Sequence, residues 1–182
     1  MPTGLKRYQE THQFHFITFS CYLRQPSLRT VKAKDAVERV LEEIRRKRGL
    51  YIAAYVLMPE HVHLLTSEPH IGTLANFIQV FKQLTARELK TDEQKQFWQR
   101  RYYDFNVSSS EKYIEKVRYI HRNPVKRGLV TNPEDYRWSS FVHYATGEPG
   151  RIEIESEWTA RRRERVAPDL SQSDCVLSHP SR

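Results

Sequence analysis

The stretch Tyr55-Val56-Leu57-Met58-Pro59-Glu60-His61-Val62-His63-Leu64-Leu65 constrains this chain more than any other. An apolar run stops at Pro59-Glu60 and resumes at once, which predicts a tight turn between a strand over 50–58 and an antiparallel partner over 61–67. Side chains alternate between the faces of a strand. His61 and His63 therefore point the same way, about 6.5 to 7 Å apart along the chain, close enough to share one metal ion.

The segments around this hairpin place it in a larger order. Phe14 to Tyr22 has the aromatic and β-branched enrichment of a strand. Phe14, Phe16 and Thr18 fall on one face and His15, Ile17 and Phe19 on the other, as in a central strand. Lys32 to Arg48 carries Ala33, Ala36, Val37, Val40, Leu41 and Ile44 at helical spacing and stops at Gly49. Its closing run Arg45-Arg46-Lys47-Arg48 reads either as a solvated helix end or as a DNA contact. A second amphipathic helix is predicted over 72–89, with Leu74, Phe77, Ile78, Phe81, Leu84 and Thr85 inward and Lys82, Arg87 and Lys90 outward. Phe97 to Phe105 reads as a fourth strand. Ser108 with Glu111 is a capping-box signal for a helix from about Ser109 to Arg122, ended by Pro124. The sum is strand, helix, strand, strand, helix, strand and one more helix. That is the split βαβ, ferredoxin-like order of an α+β sandwich: an antiparallel sheet with two helices on one face, plus the C-terminal helix. The segment 135–141 is expected to fold back on the core.

At 182 residues the chain suits one core. We expect residues 1–150 to form it and 151–182 to be a basic, flexible tail, with roughly the last 15 to 20 residues disordered. Lysine and arginine number 30 against 22 acidic residues, a net charge of +8, which favours a polyanionic partner. No apolar run suffices for a membrane span or a signal region. Cys21 and Cys175 form no disulfide framework and no metal spacing, which fits a reducing cytoplasm.

Two neutral imidazoles leave most positions on a divalent ion open, as a catalytic metal needs. Alone, the pair reads equally as a polar strand end. The last predicted helix tips that balance, because Tyr119 and Asn123 stand one turn apart on one face. A phenolate can attack a phosphodiester and keep its bond energy as a phosphotyrosyl link, while a metal absorbs charge and Asn123 adds a neutral oxygen ligand. Tyr102, Tyr103 and Tyr113 are the rival tyrosines; Tyr113 lies six residues from Tyr119 and is rotated off the Asn123 face. His121 is expected at the surface or on DNA rather than on a metal. His15 is a less favoured neighbour of the site.

Several ordered motifs carry a family resemblance: Met58-Pro59-Glu60-His61-Val62-His63-Leu64-Leu65, Phe97-Trp98-Gln99, the run from Tyr119 to Val130, and Tyr136-Arg137-Trp138-Ser139-Ser140. Over about residues 8 to 145 the chain resembles the REP-associated tyrosine transposases, relatives of the single-strand HUH transposases of the IS200-like type. The resemblance puts the metal-binding histidines at His61 and His63, the nucleophile at Tyr119 and the metal-binding amide at Asn123. It implies a nuclease that uses Mg2+ or Mn2+ to cut and rejoin single-stranded DNA near imperfect palindromic hairpins, leaving a 5′-phosphotyrosine and a free 3′-hydroxyl. It also implies a monomer, with a dimer as the arrangement of the insertion-sequence relatives, working in the bacterial cytoplasm at the nucleoid. Candidate DNA contacts are Lys6, Arg7, Lys82, Arg87, Arg100, Arg101, Arg122, Lys126 and Arg127. Two other readings compete: a hairpin-binding protein without cleavage, and an RNA-binding domain of the same fold. The second lacks the expected aromatic signature in its first and third strands.

Overall fold

The computed structural model describes residues 13–166. Its centre is a four-stranded antiparallel sheet of β1 (Phe14–Ser20), β2 (Ile52–Leu57), β3 (His61–Thr66) and β4 (Tyr103–Val107), in the spatial order β2-β3-β1-β4. Helices α1 (Val31–Arg48) and α2 (Leu74–Leu89) make the two crossovers. Right-handed crossovers from adjacent strands put both helices on the same face. There Val37, Leu41 and Ile44 of α1 and Phe77, Ile78 and Phe81 of α2 close over Ile17, Phe19, Leu57, Val62 and Leu64. This is the ferredoxin-like α+β order expected from the sequence.

The opposite face carries α3 (Ser110–Lys126), packed on β2, β3 and β4. Beneath it lies a second apolar cluster of Phe16, Ala53, Ala54, Val56, Met58, Leu65, Val107, Ile120 and Tyr136. Covered on both faces, β2 and β3 are buried along their whole length. The strand that carries His61 and His63 is thereby held rigidly.

Several boundaries move. The aromatic run after residue 96 is not one strand. Trp98 bridges Cys21 and Tyr103 pairs with Thr18, so β1 advances three positions while its neighbour advances five. The surplus residues leave the ladder between Gln99 and Tyr103. Trp98 anchors the near side: its indole N–H donates to Thr85 Oγ1 at 2.8 Å, and its ring packs on Phe19 and Phe81. The cap of α3 is Ser109, which accepts from the Lys112 amide, one residue beyond the predicted capping box. Leu84, expected inward on α2, is exposed, whereas Thr85 is fully buried.

Pro124 does not end α3 either. The helix runs on to Lys126 because the lost donor at Pro124 is only one bond. The turn then closes by Arg127 N–H to Asn123 O at 3.0 Å and Leu129 N–H to Pro124 O at 2.9 Å, with Gly128 left-handed at φ +66°.

As expected, 135–141 folds back: Ser139 bridges Val56, and the Tyr136 hydroxyl donates to Leu57 O at 2.6 Å. A short helix α4 (Phe141–Thr146) follows. The flexible tail expected from residue 151 meets a different arrangement as far as Val166. Ile152 and Ile154 are buried in the first core, the Glu155 amide donates to Ile52 O at 2.7 Å, and α5 spans Glu157–Val166. The apolar residues Ile152 and Ile154, two apart, give this segment a strand-like inner face. The disorder expected for the last residues lies outside the described ones. Among the described residues, no helix is long and apolar enough to cross a membrane.

Candidate active site

Three elements meet at the site. From β3, His61 and His63 project toward α3, and the two Nε2 atoms lie 2.9 Å apart. From β1, Thr18 stands directly across from His63, with its Oγ1 2.7 Å from His63 Nδ1. Phe16 stacks on the His63 ring at 5.5 Å. From α3, Asn123 brings its side-chain amide within 3.2 Å of His63 Nε2, and the Tyr119 ring stands edge-on to His63 at 5.1 Å and to Phe16 at 5.7 Å. A cavity of about 440 Å³ joins Phe16, Thr18, Arg24, His61, His63, Tyr103, Tyr119, Asn123, Lys126 and Arg127.

The electrostatics favour neutral imidazoles. Burial pushes His63 down to about 3, and the neighbouring His61 and the Arg24 charge push the same way. Burial lowers His61 as well, against the opposing pull of the Glu60 carboxylate, whose Oε1 lies 3.2 Å from His61 Nδ1. Both rings thus keep a lone pair for a ligand at neutral pH. The 2.9 Å separation also fits a shared ion: two metal–nitrogen bonds of about 2.1 Å at a right angle span about 3 Å. Thr18 orients the His63 ring from behind through Nδ1, while Glu60 lies beside His61 Nδ1, which has no hydrogen-bond partner. A half-turn of the Asn123 amide presents Oδ1 to the same point. Among the described residues, no group of three or more His, Cys, Asp or Glu side chains is placed to hold a metal ion. An ion here would therefore rest on two imidazoles and an amide, with its remaining positions open.

The predicted site residues separate into groups. His61, His63, Tyr119 and Asn123 come together, as do Lys126, whose ammonium sits 5.9 Å over the Tyr119 ring, and Arg127, which pairs with Glu60 at 2.7 Å. Arg122 lies with Arg118 and Tyr119 in a groove on the outer side of α3. Arg100 and Arg101, on the surplus loop before β4, line a second cavity that shares Thr18, Arg24 and Tyr103 with the first. Lys82 is not outward: its ammonium donates to Gln99 O at 2.9 Å, and burial lowers it to about 8. Arg87 is exposed on α2, on the sheet face away from the histidines. Lys6 and Arg7 lie outside the described residues.

Other expectations change. His121 is buried rather than at the surface, bonded to Ser140 Oγ at 2.9 Å and flanked by Phe141 and Tyr144. His15 faces away from the site and lies between Asp104, at 2.8 Å, and Glu68, at 3.3 Å. The basic end of α1 is tied down by Glu42 and Glu43 and by contacts of Arg48 with Asn76 and Ile71 O. Of the rival tyrosines, Tyr113 packs on Phe14, and Tyr103 opens into the site cavity without touching a histidine ring.

Thr18, Phe16 and Arg24 were missed as site residues. Thr18 and Phe16 were assigned a common strand face, and only the register with His63 shows what that face meets. Arg24 carries no sequence signal beyond its charge.

The family model described as "Transposase IS200 like" matches residues 8–123. The chain belongs to that family. It is 26% identical over 126 residues to a REP-associated tyrosine transposase of Escherichia coli (strain K12), which covers 69% of this chain and 74% of the relative. It is 30% identical over 100 residues to a Haemophilus influenzae protein given the same name provisionally, covering 48% of this chain and 57% of that one. Among solved structures, one described as a REP-associated tyrosine transposase bound to a REP hairpin superposes with a TM-score of 0.70, at 22% identity, over 97% of this chain and 100% of the other. That likeness is one of fold, and it includes the four-stranded sheet with its helices.

Proposed function

We propose that this chain is a metal-dependent single-strand DNA endonuclease and strand transferase that acts beside hairpins through Tyr119. The observation that carries the reading is the convergence of His61, His63, Asn123 and Tyr119 from two elements on one cavity. The hairpin enters from the relatives, whose names associate them with REP sequences and one of which is described with a REP hairpin bound.

In this reading His61, His63 and Asn123 hold Mg2+ or Mn2+. The bound ion would polarise the phosphate and offset its growing charge. The Tyr119 phenol gives up its proton to water, and its oxygen forms a bond to phosphorus. The bond from phosphorus to the 3′ oxygen breaks, and that oxygen takes up a proton to become a free 3′-hydroxyl. One phosphodiester bond is exchanged for another, so a 3′-hydroxyl can later reverse the step without an energy source. Tyr119 is partly exposed, so its oxygen is open to a strand lying in the cavity. Tyr103, half-exposed on the opposite wall, offers an aromatic face for an unpaired base.

The test is a covalent adduct. Wild-type protein with Mn2+ and a labelled pool of hairpin oligonucleotides with randomised single-stranded flanks should give a protein–DNA band on a denaturing gel. Tyr119→Phe should remove that band, and Tyr103→Phe should retain it. Hairpin binding with no adduct would support the binding-only reading. An adduct surviving Tyr119→Phe would displace the nucleophile.

A further inference from the structure

The turn that follows β1 is built in an unusual way. Leu23 and Arg24 are consecutive non-glycine residues with φ of +51° and +54°, a left-handed pair that side chains with a Cβ rarely adopt. Packing of these side chains does not explain it, since Leu23 is 67% exposed and Arg24 is exposed too. The backbone is held from both sides: Cys21 N–H donates to Glu60 O and Tyr22 N–H to Phe97 O, each at 2.8 Å. Strain maintained by its surroundings and unrewarded by burial collects at functional sites.

The geometry delivers the Arg24 side chain to the junction of two cavities. One holds His61, His63, Tyr119 and Asn123; the other holds Arg100 and Arg101. Three other cations nearby are engaged. Arg127 is paired with Glu60, Lys82 donates to a carbonyl, and Lys126 sits over the Tyr119 ring. Among the described residues, the Arg24 guanidinium has no hydrogen bond or ion pair, and it lines the same cavity as His61 and His63.

We propose that Arg24 is a phosphate-binding residue that grips the non-bridging oxygens of the phosphodiester cut by Tyr119. The proposal rests on the strand-transfer reading above. A guanidinium suits the task because its planar fork meets two phosphate oxygens at once. As the Tyr119 oxygen bonds to phosphorus and the 3′ oxygen departs, negative charge accumulates on those two oxygens, and a donor fixed in advance stabilises it. The strained turn fixes the backbone from which that donor reaches. The second cavity, with Arg100 and Arg101, then receives the strand as it leaves the cut.

Two measurements test this in the full chain. In the Tyr119→Phe background, binding of a labelled hairpin with a single-stranded flank is followed against salt concentration. Arg24→Gln should reduce the slope of log affinity against log salt by about 0.7, the loss of one single-strand phosphate contact. With Tyr119 present, Arg24→Gln should slow adduct formation at saturating DNA at least tenfold, and Arg24→Lys should recover only part of the rate. Arg24→Gly, which suits a positive φ, should lose the same rate while its melting temperature stays level or rises. An unchanged slope together with an unchanged adduct rate in Arg24→Gln would overturn the proposal. If wild-type protein formed no adduct, the Tyr119 reading would fall, and the salt slope would still decide for or against Arg24.

Discussion

His61 and His63 differ from a surface histidine pair in one measurable way. Burial holds both below the ordinary histidine value of 6.5, with His63 near 3. Protons therefore compete weakly with a metal until the solution is distinctly acid. Mn2+ affinity measured by calorimetry should change little between pH 7.5 and 6.5, and release few protons from the imidazoles; a tenfold loss of affinity per pH unit across that range would contradict the burial argument. The same groups set a stability trend. The unfolded chain protonates His61, His63 and the likewise depressed His121, at about 4, below pH 6.5, while the folded chain resists. Stability should fall as pH drops from 6.5 toward 4, read as a falling melting temperature. His15, raised between Asp104 and Glu68 although burial opposes it, has the reverse sign and loses its contribution as pH rises through its folded value. Asp104→Asn should therefore steepen the acid-side loss. At this scale the sequence was informative about His61, His63, Tyr119 and Asn123, because each pair is set by the spacing within one element. It was blind to Thr18, Glu60 and Arg24, whose roles depend on distant elements meeting.

The elements divide along the same line. Helices α1 and α2 and the β2–β3 hairpin were legible, since their periodicity and end signals are local. The fourth strand was misplaced because Phe97-Trp98 and Tyr103 to Phe105 have equal strand character, and only pairing with β1 separates them. Helix α3 was cut short at Pro124, since the rule that proline disfavours helix before it ignores a turn secured from beyond by Gly128. That turn shapes the cavity, because it keeps Lys126 helical beside Tyr119 and leads Arg127 to Glu60. Gly128 has φ +66°, and a Cβ there would meet nothing within 4 Å. Gly128→Ala should therefore destabilise by about 1 kcal/mol through the backbone alone, measured as a lower denaturant midpoint with an unchanged slope. A loss of several kcal/mol would mean that the closing turn does more than end the helix.

At the scale of the molecule, the +8 charge overstates the surface available to DNA. Arg39, Arg45, Arg46, Lys47, Arg137, Arg151 and Arg163 are paired with acidic side chains, most of them on α1 or near the α5 end, away from the tyrosine. The cations that border the two cavities and the α3 groove without an acid partner are Arg24, Arg100, Arg101, Arg118, Arg122 and Lys126. Each single-strand phosphate neutralised contributes about 0.7 to the salt slope, so engagement of all of them corresponds to a slope of about −4. Titrations of Tyr119→Phe protein with a flanked hairpin between 50 and 300 mM KCl, roughly the range over which such slopes are linear, should give that value. A slope near −8 would correspond to about five further phosphate contacts, which would have to come from cations outside this set, those of α1 among them. Replacing Glu42 with Gln separates the cases. It frees Arg46 and leaves Arg45 only Glu153, so it should strengthen binding only if α1 faces the nucleic acid, and leave both slope and affinity unchanged if the DNA is confined to the α3 side of the sheet.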